Sequence, residues 1–98
     1  MADITAKELQ ERLEKGEKVN LIDVRETYEF EEDNLNGKLI PLGDLPDRLQ
    51  ELEALKNEEV IVHCRSGARS ANAKNYMISQ GFQNVRNLEG GILAYRDL

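Results

Sequence analysis

Val60-Ile61-Val62-His63-Cys64-Arg65-Ser66-Gly67-Ala68-Arg69-Ser70-Ala71-Asn72-Ala73 passes from strand to loop to helix without a spare residue. Val60 to Val62 is an unbroken apolar run, the pattern of a strand buried on both faces of a parallel sheet. The strand ends at His63 or Cys64, a polar loop turns at Gly67, and helical signals run from about Ala68 to Gly81. In open α/β sheets, ligands bind beyond the carboxyl ends of the strands. A helix starting there aims its free N–H groups and the positive end of its dipole at the loop. A cysteine at the first loop position would sit inside that cradle.

Outward from this stretch the pattern repeats. Val19 to Val24 reads as a second buried strand, Leu39-Ile40 as a brief one before Pro41, and Val85 to Leu88 as another. Thr5-Ala6-Lys7-Glu8 is the signature of a capping box, with Leu9 and Leu13 as the inner stripe and Gly16 as a stop. A short helix is expected between Glu26 and Asp33, around Tyr28 and Phe30. Leu45, Leu49 and Leu52 give helical spacing from Asp44, with Pro46 in the first turn. Gly90-Gly91 is a turn, and Ile92 to Leu98 a final short helix. Strands alternating with helices predict one α/β domain over residues 1–98, its sheet mostly parallel and covered by helices on both faces.

Composition narrows the function. The chain has 98 residues, 40% of them hydrophobic, which suits one core and no second one. No apolar run approaches the roughly 18 residues of a membrane span. Met1-Ala2-Asp3-Ile4 lacks the basic and apolar regions of a secretory signal. Cys64 is the single cysteine, so no internal disulfide forms, in keeping with a reducing, cytoplasmic setting. The net charge of −6 disfavours nucleic acid, and 3 Tyr with 2 Phe offer no stacking platform. Tyr28, Phe30, Tyr76, Phe82 and Tyr95 are spaced as core or core-edge aromatics. The charge is uneven: residues 1–50 carry the whole −6, whereas Arg65, Arg69, Lys74 and Arg86 lie in a stretch with no acid between Glu59 and Glu89. That basic segment around Cys64 suggests a site for an anion.

A lone cysteine is most often a small core residue. Cys64 departs from that pattern because it ends a strand, two arginines follow it, and a glycine sits between them. Helix N-termini and nearby cations lower a thiol pKa from its free value of ~8.5, giving a thiolate nucleophile. Arg65 and Arg69 would supply cations, Ser66 and Ser70 hydroxyl donors, Gly67 the tight turn, and Ala68 the start of the helix. His63 is the only histidine, but neighbours on a strand face opposite ways, so it should point away from the Cys64 sulfur. Asp23 and Arg25 flank the end of another strand and read as a supporting ion pair. One histidine and one cysteine without nearby carboxylates make no metal site.

Cys64-Arg65-Ser66-Gly67-Ala68-Arg69-Ser70 resembles the active-site loop of single-domain rhodanese-like, thiosulfate sulfurtransferase-type proteins. Leu21-Ile22-Asp23-Val24-Arg25-Glu26 with Tyr28-Glu29-Phe30, then Ile40-Pro41-Leu42, Gly81-Phe82 and Gly90-Gly91-Ile92-Leu93-Ala94-Tyr95, resemble the family's other blocks in order. The likeness spans nearly the whole chain. It implies a five-stranded parallel sheet and a transferable sulfur carried on Cys64 as a persulfide. It also implies substrate contacts from Arg65, Ser66, Gly67, Ala68, Arg69 and Ser70. The donor would be a small anion, thiosulfate or a persulfide. The acceptor would be cyanide or a thiol, such as that of a small redox protein. No cofactor, nucleic acid or membrane is implied, and a monomer is expected. The chain departs from the family at Asp33-Asn34-Leu35-Asn36-Gly37-Lys38, where Gly-His-Ile-x-Gly-Ala is usual, and at Tyr95, where tryptophan is usual.

Two other readings share the fold. Phosphatases and arsenate reductases resemble it but have one more residue between cysteine and arginine than Arg65-Ser66-Gly67-Ala68. Arsenate reduction also usually needs a resolving thiol. A non-catalytic sulfur-carrier or binding module is the third reading, and such modules commonly lack the cysteine.

Overall fold

The computed structural model describes residues 2–98. Four strands, β1 (Leu21–Asp23), β2 (Lys38–Leu39), β3 (Glu59–His63) and β4 (Asn84–Asn87), form one sheet in the order β2-β1-β3-β4. Every pairing is parallel, with Asp23 beside His63 and Val62 beside Asn87. The carboxyl ends of β1, β3 and β4 therefore lie together. Around the sheet run α1 (Ala6–Glu14), α2 (Thr27–Glu32), α3 (Leu45–Arg48), α4 (Ala68–Ser79) and α5 (Gly91–Arg96).

The expected fifth strand is reduced to a single bridge. Ile4 pairs with Leu88 alone, because Thr5 caps α1 on one side and, on the other, the Asp3 carboxylate takes the Asn87 N–H at 3.0 Å that a second pair would use. The Glu8 N–H donates to Thr5 Oγ1 at 3.1 Å, but the Glu8 carboxylate turns to Arg86 instead of back to Thr5. Half of the expected capping box thus forms. The helix expected from Asp44 is also broken, into 3-10 turns at Leu42–Asp44 and Leu49–Leu55 on either side of α3. Leu45 and Leu52 are still buried.

Two apolar clusters cover the two faces of the sheet. Val60, Val62 and Cys64 belong to one, with Leu45, Leu52, Ala73, Met77 and Phe82. Ile61 belongs to the other, with Ile4, Leu9, Leu88 and Ile92. This alternation along β3 decides where the chemistry lies. His63 takes the parity of Ile61 and is fully buried, so it points away from Cys64 as the sequence implies. Of the aromatics, Phe82 is buried, but Tyr28 is 65% exposed, outside any core. No helix among the described residues is long and apolar enough to cross a membrane.

Candidate active site

Cys64 follows the last residue of β3, and α4 begins four residues later. Gly67 is the N-cap of α4 and holds φ at +112°, a left-handed conformation that side chains disfavour. The turn brings the first N–H groups of α4 back over the sulfur. The Gly67 N–H donates to Cys64 Sγ at 3.1 Å and the Ser70 N–H at 3.4 Å. The Ser66 N–H also faces the sulfur. Ser70 Oγ lies 3.3 Å from Sγ.

Burial pushes the Cys64 thiol up, because its charge loses water. Hydrogen bonds from the Ser70 hydroxyl and from the Ser70, Gly67 and Ser66 N–H groups outweigh that burial and bring it below its ordinary value. N–H donors converging on one atom favour its anion. We expect the alkylation rate of Cys64 to rise with pH and level off with a midpoint below the free-thiol value of ~8.5. Ser70→Ala should move the midpoint up, by removing one donor to the anion. A wild-type midpoint at or above the free value would refute the cradle.

Two further contacts aim the loop. The carbonyls of Cys64 and Arg65 accept hydrogen bonds from Ile92 N–H (3.0 Å) and Leu93 N–H (3.1 Å), the open donors of the first turn of α5. A trans peptide sets its C=O and N–H on opposite sides. Holding the Arg65 carbonyl on α5 therefore turns the Ser66 N–H towards the sulfur. Gly91 permits the approach: a Cβ there would lie 2.3 Å from the Arg65 carbonyl oxygen.

Asn87 is the residue that sequence reasoning missed. Its Nδ2 donates to the Gly67 carbonyl at 3.1 Å, which turns its Oδ1 to Ser70 Oγ, 2.5 Å away. Ser70 Oγ also lies 3.2 Å from the Gly67 carbonyl oxygen, so its single proton has three acceptors: Asn87 Oδ1, that carbonyl and the sulfur. The available signal was an amide at the carboxyl end of a strand beside the nucleophile's strand.

The expected site residues separate into distinct positions. Gly67 and Ser70 contact the sulfur, Ser66 contributes its N–H while its side chain is exposed, and Ala68 is exposed at the start of α4 with no contact to the sulfur. Arg65 is exposed and forms no side-chain ion pair among the described residues. Arg69, expected to guide an anion, instead grips the Glu29 carboxylate of α2 with two hydrogen bonds, at 2.6 and 2.9 Å. Lys74 is bound to Asp3 at 2.6 Å, and Arg86 to Glu8 and Glu59. The basic segment seen in the sequence is thus largely neutralised by acids brought from elsewhere in the chain.

Asp23 and Arg25 form the expected ion pair, at 2.7 Å and almost wholly buried. Arg25 also donates to the Asp33 carbonyl at 2.7 Å, just beyond the end of α2. The pair thereby fixes the segment that carries Glu29 to Arg69. No cluster of residues among those described could hold a metal ion.

Known proteins are similar to this chain in sequence and in fold. The profile of the Rhodanese-like domain family matches residues 5–98. YtwF of Bacillus subtilis (strain 168) is 39% identical over 94 residues, spanning 95% of this chain and 88% of that one. A protein of Allochromatium vinosum named "Sulfurtransferase" is 37% identical over 94 residues, spanning 95% of this chain and 86% of that one. The crystal structure of a rhodanese-like domain protein from Staphylococcus aureus superposes with a TM-score of 0.87 at 35% identity, covering 97% of this chain and 91% of that one.

Proposed function

Because the chain belongs to the rhodanese-like domain family, we propose that it is a sulfurtransferase working through a persulfide on Cys64. The donor is a small anion carrying a sulfane sulfur, thiosulfate or a persulfide. The acceptor is cyanide or a thiol, including that of a small redox protein. The observation that carries this reading is the set of donors converging on one sulfur atom, from Gly67, Ser70 and Ser66.

With thiosulfate, the Cys64 thiolate attacks the outer sulfur and sulfite leaves with the bonding pair. Cys64 is 1% exposed, so the incoming sulfur meets it end-on while the rest of the donor stays at the rim. The loop N–H groups then stabilise the persulfide anion. An acceptor attacks the terminal sulfur and restores the thiolate, which makes the kinetics ping-pong. A cytoplasmic setting and a monomeric state complete the proposal.

The test is intact-protein mass spectrometry after exposure to donor. One added sulfur atom should appear and be removed by dithiothreitol, and Cys64→Ser should show neither the adduct nor thiosulfate:cyanide turnover. Turnover surviving in Cys64→Ser would overturn the proposal. A wild-type adduct that no acceptor could discharge would make the chain a carrier and not an enzyme.

A further inference from the structure

Of the four basic residues between Glu59 and Glu89, three are committed to acids. Lys74 holds Asp3, Arg86 holds Glu8 and Glu59, and Arg69 holds Glu29. The mouth above Cys64 is left with Arg65 and a self-neutralised Arg69–Glu29 pair. Glu29 is firmly installed in that pair. Both of its oxygens receive Arg69, and Oε1 also accepts the Glu26 N–H at 3.0 Å, which caps α2. Its side chain is 12% exposed. The Arg69 guanidinium holds the Glu29 carboxyl down to about 2, so it is charged at any pH near neutrality. Tyr28, 65% exposed, adjoins Glu29 in α2, and Leu93, 47% exposed, is tied to the loop through its N–H on the Arg65 carbonyl.

Charge counting then separates the donors. Thiosulfate brings two negative charges to a thiolate that already carries one. A persulfide brings one, or none when protonated. We infer that Glu29 selects the donor: by occupying Arg69 it leaves the mouth one uncommitted positive charge, which suits an organic persulfide better than dianionic thiosulfate. This inference rests on the sulfur-transfer reading of Cys64. The preferred step is Cys64–S⁻ + R–S–S–H → Cys64–S–S⁻ + R–S–H. The Sγ–S bond forms, the S–S bond of the donor breaks, and the proton passes from the outer sulfur to the leaving thiolate. No outside oxidant or reductant enters. The exposed Tyr28 and Leu93 give the organic group an apolar edge, for which the compact sulfonate of thiosulfate has no use.

The experiment measures Cys64 loading by mass spectrometry, at low ionic strength, with cysteine persulfide and with thiosulfate. Wild type should load from cysteine persulfide with the higher second-order rate. Glu29→Gln retains an oxygen for the Glu26 N–H and releases Arg69. It should raise the thiosulfate rate about 10-fold while changing the persulfide rate less than about 2-fold, and added salt should shrink the gain. Arg69→Gln leaves Glu29 unopposed and should lower the thiosulfate rate further. Slowing of both donors in both variants would mean that Glu29 only holds α2 in place, and would overturn the inference. A donor ratio unchanged in Glu29→Gln, or thiosulfate preferred by wild type, would overturn the inference. If neither donor loads wild-type Cys64, the sulfur-transfer reading fails instead.

Discussion

Gly91→Ala should destabilise the fold and slow sulfur transfer together. The new Cβ would stand 2.3 Å from the Arg65 carbonyl oxygen, 2.5 Å from its carbon and 2.6 Å from the Cys64 oxygen. All three are backbone atoms, so no flexible side chain can yield. The φ of +62° adds strain of about 1–2 kcal/mol for any L side chain. Relief requires α5 and the loop to part, which loosens the Leu93 hydrogen bond to Arg65 and swings the Ser66 N–H off the sulfur. Misplacement of about 1 Å at a reacting centre can cost 10²-fold in rate. We expect kcat for thiosulfate:cyanide turnover to fall by about that factor, with a higher alkylation midpoint for Cys64. Gly16→Ala is the control: it meets the same left-handed strain at φ +77° with nothing within 4 Å and lies far along the chain from the loop. It should lose stability without losing turnover. Equal losses of turnover in the two variants would contradict this account.

Asp23→Ala should cost about 3–5 kcal/mol, the usual penalty for leaving a buried charge without its partner. Arg25 is 4% exposed, and three of the hydrogen bonds it donates to Asp23 are made by its guanidinium. Its remaining contact, the Asp33 carbonyl, cannot neutralise it. In a domain of this size that loss lowers Tm by more than about 10 °C. Replacing both residues, as Asp23→Leu with Arg25→Met, should recover most of the stability, since no lone charge remains. It should not restore the hold on the segment after α2. Thermal unfolding of the single and double variants checks this, and a double variant no more stable than Asp23→Ala would refute it.

Much of this was legible in the chain, for physical reasons. The apolar run of Val60–Val62 and the glycine after Cys64 fix strand, loop and helix by local chemistry. Parity along β3 then fixes which of His63 and Cys64 faces the loop. The Asp23–Arg25 pair needs only two residues on one strand end. Charge was read less well, because ion pairs form across the fold: Arg69 and Glu29 are 40 positions apart, and Lys74 and Asp3 are 71 apart. A basic stretch in sequence says nothing of which acids folding brings to it. Asn87 was hidden for the same reason, since its partner Ser70 lies on the helix that precedes its own strand. The fifth strand shrank because Thr5 caps α1 on one side of Ile4 and the Asp3 carboxylate takes the Asn87 N–H on the other.

The sheet's two margins have a consequence for behaviour at high concentration. One margin, β2, is two residues long, and the other, β4, is partly occluded by the bridge from Ile4 to Leu88. Unpaired strand edges are templates on which other chains add and aggregate, and short or covered edges deny them that template. The chain carries no β-bulge or edge proline as a substitute guard within β2 or β4. Brevity at one end and a borrowed residue at the other serve that purpose.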